Sequence, residues 1–446
     1  MTVGKDHPAV VCGLGASGRA AIRLLRSRGF KVLAADERDT PATRDAAEWA
    51  RELGCEVSLG GGIPLRGWWE AAVISPGIPV DSPFLDGLRR RRIPMVSELE
   101  LGWGHADLPT VAVTGSSGKS SVVKALADCF EAAGKQAIPC GNYGPPVCEA
   151  ALEPSGADAL AVEVSSFQLE TCVRFRPGVA VLLNVHPNHL DRHGTFEAYA
   201  RIKARLFARQ GKGDTALVPR DWRERLRKES GGRGEWRTFG AEADADIRYE
   251  PGRIVSADGE EMEIGGSPFD NEVLGPNAAA VFGAARAAGL SAEAVRRALT
   301  GFVPLPHRAQ PVGERDGVRY IDDSKATSVA AMIGSIRMQT GPVWLIAGGR
   351  PKESDFSAAG TVLRERVRGV FLIGEAAAAM EEAWRGAAGC EICSTLERAV
   401  AAARRAARPG DAILLAPACT SYDQFASYGE RGDAFRGFAG FADKKD

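Results

Sequence analysis

Residues Val111 to Ser121 read VAVTGSSGKSS, and few other short stretches constrain a fold so tightly. An apolar strand runs into a glycine turn, and Lys119 with two hydroxyls opens a helix. Two glycines let the backbone wrap a polyphosphate, and N–H groups at the helix start point at its oxygens. Lys119 adds a positive charge and Ser120 can reach Mg²⁺. Such a turn needs a strand before it and a helix after it, so the chain is α/β where this loop lies and binds a nucleoside triphosphate. The usual loop has glycine five residues before Gly118, where Val113 stands, so the form here is the compressed T-G-x-x-G-K-S.

At 446 residues the chain exceeds one ordinary core, and about 150 residues per domain suggests three. Its 56 basic and 57 acidic side chains nearly cancel, which gives no sign of a nucleic-acid partner or a charged membrane surface. The start MTVGKDHP lacks the apolar segment of a signal peptide, and no run of about 18 apolar residues is present to span a bilayer. The expected location is the cytoplasm. Nine scattered cysteines fit free thiols in a reducing compartment. Cys390-x-x-Cys393 reads as part of a short strand, because no second ligand pair lies nearby. The run Arg89 to Arg92 reads as a solvated helix end closed by Ile93-Pro94.

Three α/β blocks follow one another. The first opens with AVVCGLGASGRAAIRLLRSRGFKVLAAD, in which Gly13, Gly15 and Gly18 fit G-x-G-x-x-G and Asp36 ends the next strand. A nicotinamide dehydrogenase satisfies that pattern. So does a nucleotide-linked substrate whose diphosphate rests against this turn and the later turn Ser75-Pro76-Gly77. The second block holds the phosphate loop, then ALAVEVSSFQLE, GVAVLLNVHPNHLDRHGTFEAYARIKARLF and TALVP, a mostly parallel pattern. A small antiparallel piece is expected around residues 236 to 265. The third block starts after FVPLPHR, where Pro304 and Pro306 stiffen a hinge. Its strands are VRYIDDS, PVWLIAGG, GVFLIG and DAILLAPA.

Glu163 ends the strand ALAVEVS, where open α/β sheets place functional groups, and it is the first carboxylate candidate for magnesium. His186, His189 and His193, with Asp191, crowd one loop. By spacing alone they also suit a transition metal, but the neighbouring phosphate loop favours magnesium.

Taken in order, TGSSGKSS, EVSSFQLE, NVHPNHLDRHG, YARIKARLF, LPHR, DDSKAT, LIAGG and PACTSYDQF resemble the Mur ligase family over essentially the whole chain. EVSSFQLE, DDSKAT and SYDQF point to its D-glutamate-adding branch. The resemblance implies three domains: residues 1–98, a Rossmann-like UDP-substrate domain; 99–304, a central P-loop ATPase domain with a mostly parallel sheet; and 305–446, a Rossmann-like amino-acid domain. It implies an ATP-dependent amide ligase that adds D-glutamate to UDP-N-acetylmuramoyl-L-alanine through an acyl phosphate, giving ADP and phosphate for peptidoglycan synthesis. A sister Mur or folylpolyglutamate-type ligase with another acceptor is the alternative. Two Mg²⁺ ions, a carbamylated lysine and a monomer working on small molecules are implied as well.

Residue by residue, the resemblance makes Lys119, Glu163, His189 and Lys203 catalytic. Ser120, Glu163, His189 and Lys203, the last as a carbamate, hold metal; from its helix alone Lys203 reads as a surface lysine. Gly115, Ser116, Ser117, Gly118, Lys119, Ser120, Ser121, Asn277, Arg308, Asp323 and Lys325 contact ATP. Ala16, Ser17, Asp36, Glu37, Arg38, Ser75, Gly77 and Asn142 face the UDP-substrate. Thr327, Lys352, Ser421 and Tyr428 face D-glutamate, and closure of the third domain completes the site. There are departures from the family pattern. Ser117 stands for a common asparagine, and GPNAAA lacks both a histidine before Asn277 and a second asparagine, with Ala280 in its place. Pro351 and Glu353 alter the segment around Lys352, and Gln310 replaces a frequent glutamate.

Overall fold

The computed structural model describes residues 8–154, 156–352 and 354–441. The stretch MTVGKDH and Glu353, both singled out above, lie outside them.

Three sheets carry the fold. The first holds β1 (Pro8–Cys12), β2 (Lys31–Asp36), β3 (Glu56–Leu59), β4 (Ala71–Ile74) and β5 (Met95–Ser97), all parallel, in the order β3-β2-β1-β4-β5. Its central strands are buried on both faces, which is why they read as unbroken apolar runs. Ile22, Leu24 and Leu25 pack one face with Ala46 and Ala47; Phe84, Leu85 and Leu88 pack the other. Strand order reverses between β1 and β4. That reversal sets the turns after them, Gly13–Ala16 and Ser75–Gly77, beside one crevice.

The second sheet holds β6 (Thr110–Thr114), β7 (Ala137–Gly141), β8 (Ala159–Glu163), β9 (Val179–Leu182), β10 (Thr215–Pro219), β11 (Glu235–Gly240), β12 (Ile247–Glu250), β13 (Arg253–Ser256) and β14 (Glu261–Glu263). Its order is β14-β13-β12-β11-β10-β9-β6-β8-β7, with β6 flanked by β8 and β9. The expected antiparallel piece is therefore shorter than 236–265. β11 pairs in parallel with β10, because the helix Arg223–Ser230 carries the chain back across the sheet between them, and only β12, β13 and β14 turn back on one another.

The third sheet holds β15 (Gln310–Arg315), β16 (Val318–Asp322), β17 (Val343–Gly348), β18 (Val367–Ile373), β19 (Cys390–Ser394) and β20 (Ala412–Leu415), in the order β15-β16-β20-β17-β18-β19. Only the β15–β16 pair is antiparallel. The C-x-x-C segment is strand β19, as its sequence suggested. The arginine run is the solvated helix end its sequence suggested: the helix Asp86–Arg90 stops there and Arg90, Arg91 and Arg92 are exposed, while Arg89 donates to the carbonyls of Val80, Asp81 and Ser82 and Arg91 to those of Leu65 and Gly67.

The chain forms two compact units. One comprises residues 1–270 and 275–302 and carries the first two sheets; the other comprises 271–274 and 303–446 and carries the third. All nine cysteines are free, and eight are buried. Among the described residues no helix is long and apolar enough to cross a membrane.

Candidate active site

The phosphate loop leaves β6 at Thr114 and enters the helix Lys119–Ala132. Val122, Val123, Leu126, Cys129 and Phe130 fill the helix's inner face at helical spacing, which anchors its first turn, including Ser121, against the sheet. Gly118, at φ +81°, is the residue before the helix, and a Cβ there would lie 2.9 Å from Nδ2 of Asn277. Glycine thus serves both the left-handed turn and the close approach of buried Asn277. Lys119 folds over the loop, its Nζ donating to the carbonyls of Gly115 at 3.0 Å and Ser116 at 3.3 Å.

Glu163 closes β8 beside this loop and is only 2 % exposed. Its Oε2 accepts from Ser120 Oγ at 2.6 Å and its Oε1 from Asn142 Nδ2 at 2.7 Å. One carboxylate therefore joins the helix start to the turn after β7. That turn is pressed close: a Cβ on Gly141 would lie 2.4 Å from the Glu163 carbonyl oxygen, and the Asn142 N–H donates to the same oxygen at 2.9 Å.

Lys203 sits in the helix Phe196–Ala204, which begins at Thr195, whose hydroxyl accepts from the Ala198 N–H. One turn after Tyr199, the lysine falls on the inner face and is 1 % exposed. Its Nζ lies 2.9 Å from the Gly115 carbonyl oxygen and 3.3 Å from Thr114 Oγ1, over the Tyr199 ring. Burial first, and Lys119 second, hold its pKa well below the usual amine range, against the opposing pull of Glu163.

The histidines do not form one cluster of three, although His189 and His193 both lie against the Phe167 ring. His186 is exposed and meets the loop through its backbone, its N–H donating to Ser116 Oγ and its carbonyl accepting from it. His193 turns inward, with Nε2 3.0 Å from Ser166 Oγ. His189, at φ +53°, lays its ring against Phe167 at 4.9 Å, and desolvation lowers its pKa. Among the described residues no group of three or more His, Cys, Asp or Glu is arranged to hold a metal. The transition-metal pattern suggested by their spacing is therefore not assembled. Ser120 and Glu163 bring two hard oxygens together, the donor chemistry Mg²⁺ favours.

Asn184 and Arg431 were not singled out from the sequence. Asn184 follows β9, and its Oδ1 accepts from the N–H groups of Ser116 and Ser117 at 3.0 and 2.9 Å, holding the loop open. A polar residue ending the apolar run GVAVLL was the available signal. Arg431 is 1 % exposed, yet its guanidinium donates to Ser324 Oγ and to the carbonyls of Ser324, Cys419 and Thr420. Nothing in the helix Tyr428–Ala439 marks it in advance.

In the first sheet, Asp36 is buried, and its carboxylate accepts from the N–H groups of Leu14 at 2.9 Å and Arg38 at 3.0 Å, so it braces the turn. Ser75 Oγ donates to the Gly13 carbonyl at 3.4 Å, drawing the two turns together. Ala16 and Ser17 start the helix Ala16–Ser27, which no side chain caps, while Glu37 and Gly77 are exposed beside the crevice.

In the second unit Arg308 precedes β15, and the other named residues follow the C-terminal ends of β16, β17 and β20, neighbours in the sheet. Asp323 is buried, and desolvation pushes its pKa up to about 6, opposed first by Ser335 and the Ala309 N–H and last by Arg308. Lys325 Nζ lies 3.9 Å from the Tyr428 ring centre, and Lys352 Nζ 3.3 Å from Thr327 Oγ1. Ser421 is buried just past the segment that Arg431 holds. A Cβ on Gly349, at φ +130°, would lie 2.2 Å from the Thr420 carbonyl oxygen, so glycine lets the strands after β17 and β20 close up.

Three family models match the chain: "Mur ligase MurD-like, N-terminal domain" over residues 7–97, "Mur ligase middle domain" over 113–278 and "Mur ligase, glutamate ligase domain" over 307–419. The UDP-N-acetylmuramoylalanine–D-glutamate ligase of Nitratidesulfovibrio vulgaris (strain DP4) is 39 % identical over 435 residues, 96 % of this chain and 95 % of that protein. The ligase of the same name from Acidobacterium capsulatum is 37 % identical over 444 residues, 97 % and 96 % of the two chains. Among solved structures, the MurF ligase of Thermotoga maritima in complex with ADP shares the fold at a TM-score of 0.63 and 18 % identity, covering 92 % of this chain and 94 % of that one. Near-complete coverage at this identity, on a fold of three α/β sheets with a phosphate loop in the second, shows that the chain belongs to the Mur ligase family, in the branch of the UDP-N-acetylmuramoylalanine–D-glutamate ligases.

Proposed function

We propose that this ligase works through an acyl phosphate. ATP phosphorylates the alanine carboxylate of UDP-N-acetylmuramoyl-L-alanine. The amine nitrogen of D-glutamate then attacks the carbonyl carbon, the C–O bond to phosphate breaks, and the amine gives up a proton as the amide forms. ADP and phosphate are the other products. A free carboxylate resists amine attack because it would have to expel oxide, and phosphorylation supplies a leaving group.

The observation that carries this reading is the bonded series Ser120–Glu163–Asn142, which ties the phosphate loop to a glycine-flanked turn open to a second substrate. Lys119 sits where the terminal phosphates of ATP would meet the loop, and Asn184 keeps the Ser116 and Ser117 amides in place behind it. Ser120, Glu163, His189 and a carbamylated Lys203 are the residues that would hold Mg²⁺, which supplies charge neutralisation between phosphate and carboxylate. Lys203 fits that modification, because burial disfavours its ammonium form and the uncharged amine is the form that adds to CO₂ and releases a proton. The crevice between β1 and β4 suits a nucleotide diphosphate, and the same reading divides the chain at 98/99 and 304/305 and places it in the cytoplasm.

Phosphate release from ATP with Mg²⁺ and UDP-N-acetylmuramoyl-L-alanine, scanned over amino acids, tests the reading. Release that requires D-glutamate is expected. Release with another amino acid would move the chain to a sister branch, and none with any would point to a nucleotide-binding regulator.

Lys352 and Thr327 mark the proposed acceptor pocket, where an ammonium and a hydroxyl suit a dicarboxylate. Lys352→Ala is expected to raise the KM for D-glutamate about 10- to 100-fold, the worth of one hydrogen bond to a charged group, and to leave that for ATP within about twofold. Equal effects in steady-state assays would move the pocket elsewhere.

A further inference from the structure

One guanidinium in the first unit joins three segments that the chain keeps far apart. Arg192 lies in the single turn Leu190–His193, which starts at His189: the N–H groups of Arg192 and His193 donate to the His189 carbonyl at 3.1 and 3.0 Å. Its Nε and Nη2 donate to the two oxygens of Glu170 at 3.0 and 2.5 Å, a forked pair whose side chains are 12 % and 8 % exposed. The same Nη2 donates to the Ile78 carbonyl at 3.1 Å, 114 residues away, in the turn that also holds Ser75 and Gly77. Its carbon lies 4.4 Å from the centre of the Phe167 ring, which His189 also contacts at 4.9 Å.

Glu170 is itself well fixed. It follows the turn Ser166–Leu169, which a reciprocal pair secures: Ser165 Oγ accepts from the Gln168 N–H at 3.3 Å, and Gln168 Oε1 accepts from the Ser165 N–H at 2.9 Å. Arg205 donates to the Glu170 carbonyl at 2.8 Å. The anchor for Arg192 is therefore part of the structure that follows Glu163, and the guanidinium reaches from that anchor to the first sheet.

We propose that Arg192 is a positioning residue. It sets the distance between the turn that receives the substrate's diphosphate and the turn that presents His189, and thereby aligns the far end of the UDP-linked substrate with the phosphate loop. The role rests on the ligase reading above. A planar fork meets Glu170 and Ile78 at once, and a lysine, one atom group shorter with a single nitrogen, does not reproduce both contacts in that geometry.

Four variants test it: Arg192→Lys, Ser75→Ala, the two combined, and Arg192→Met with Glu170→Leu. The double Arg192→Met, Glu170→Leu variant removes both charges together, so no buried carboxylate is left unpaired, and a thermal melt checks that its fold is kept. Steady-state kinetics should show kcat down about tenfold and the KM for UDP-N-acetylmuramoyl-L-alanine up about tenfold in both Arg192→Lys and the charge-free variant, with the KM for ATP within about twofold. The Ser75 pair should be non-additive in the KM for the UDP-substrate. Wild-type kinetics in the charge-free variant would reduce Arg192 to a neutraliser of Glu170 and overturn the proposal, as would equal shifts in both KM values or strict additivity with Ser75. Where wild-type enzyme shows D-glutamate-dependent turnover, those variant results sink only the role of Arg192. Wild-type enzyme without D-glutamate-dependent turnover sinks the ligase reading and this role with it.

Discussion

Lys203→Ala is expected to lower ligation about 10³-fold, the scale of several kcal/mol of lost transition-state stabilisation, and short-chain carboxylic acids are expected to restore part of it. The argument starts from the amine's surroundings. The side chain is 1 % exposed, and burial and Lys119 disfavour its ammonium form. The neutral amine is the form that adds to CO₂, and the resulting anion gains from Lys119, the group that had opposed the cation. Alanine leaves space in which a small carboxylate can sit in place of the carbamate. A variant with wild-type kcat would remove the carbamate role. A dead variant that no acid rescues would assign Lys203 to holding the Gly115 carbonyl instead, through the 2.9 Å contact seen here.

Glu163→Gln is expected to cost about 10²- to 10³-fold in kcat while shifting Tm by only a few degrees. The amide matches the carboxylate in shape. It can accept from Asn142 through its oxygen and donate through its nitrogen to Ser120 Oγ, so both partners at 2.6 and 2.7 Å keep a bond. What disappears is a negative charge beside the phosphate loop. Kinetics and thermal melts measured together separate the outcomes: a large fall in Tm with kcat preserved would make Glu163 a structural strut.

Much of the architecture was legible because parallel strands covered on both faces must be apolar throughout. VAV before the phosphate loop, AVVC at the start and AILL near the end are such runs, and each is a central strand of its own sheet. Strand direction is less visible. The short alternation of β11 resembles that of β13, but β11 arrives through a crossover helix and β12 runs parallel to it, whereas β13 and β14 each follow a tight turn and reverse direction. In the site, glycine and lysine spacing marks the phosphate loop because backbone geometry demands it. Lys203 is the opposite case. Periodicity in YARIKARLF puts it among surface positions, whereas Tyr199 one turn earlier and Thr114 from another strand enclose it. Asn184 and Arg431 act through partners distant in sequence, and no local pattern encodes such pairings.

The free cysteines make the molecule a reporter of its own opening. Cys12 lies in the first sheet, Cys140 in the second and Cys419 beside the third, all at 0 % exposure. Burial pushes the Cys140 thiol up to about 12 and the Cys12 thiol higher still, so neither presents a thiolate to an alkylating reagent while its sheet is closed. Each labels only when its surroundings come apart. Mass-resolved alkylation would therefore time the loosening of each sheet separately, with no probe introduced, and show which of the three yields first under denaturant and which is steadied by nucleotide.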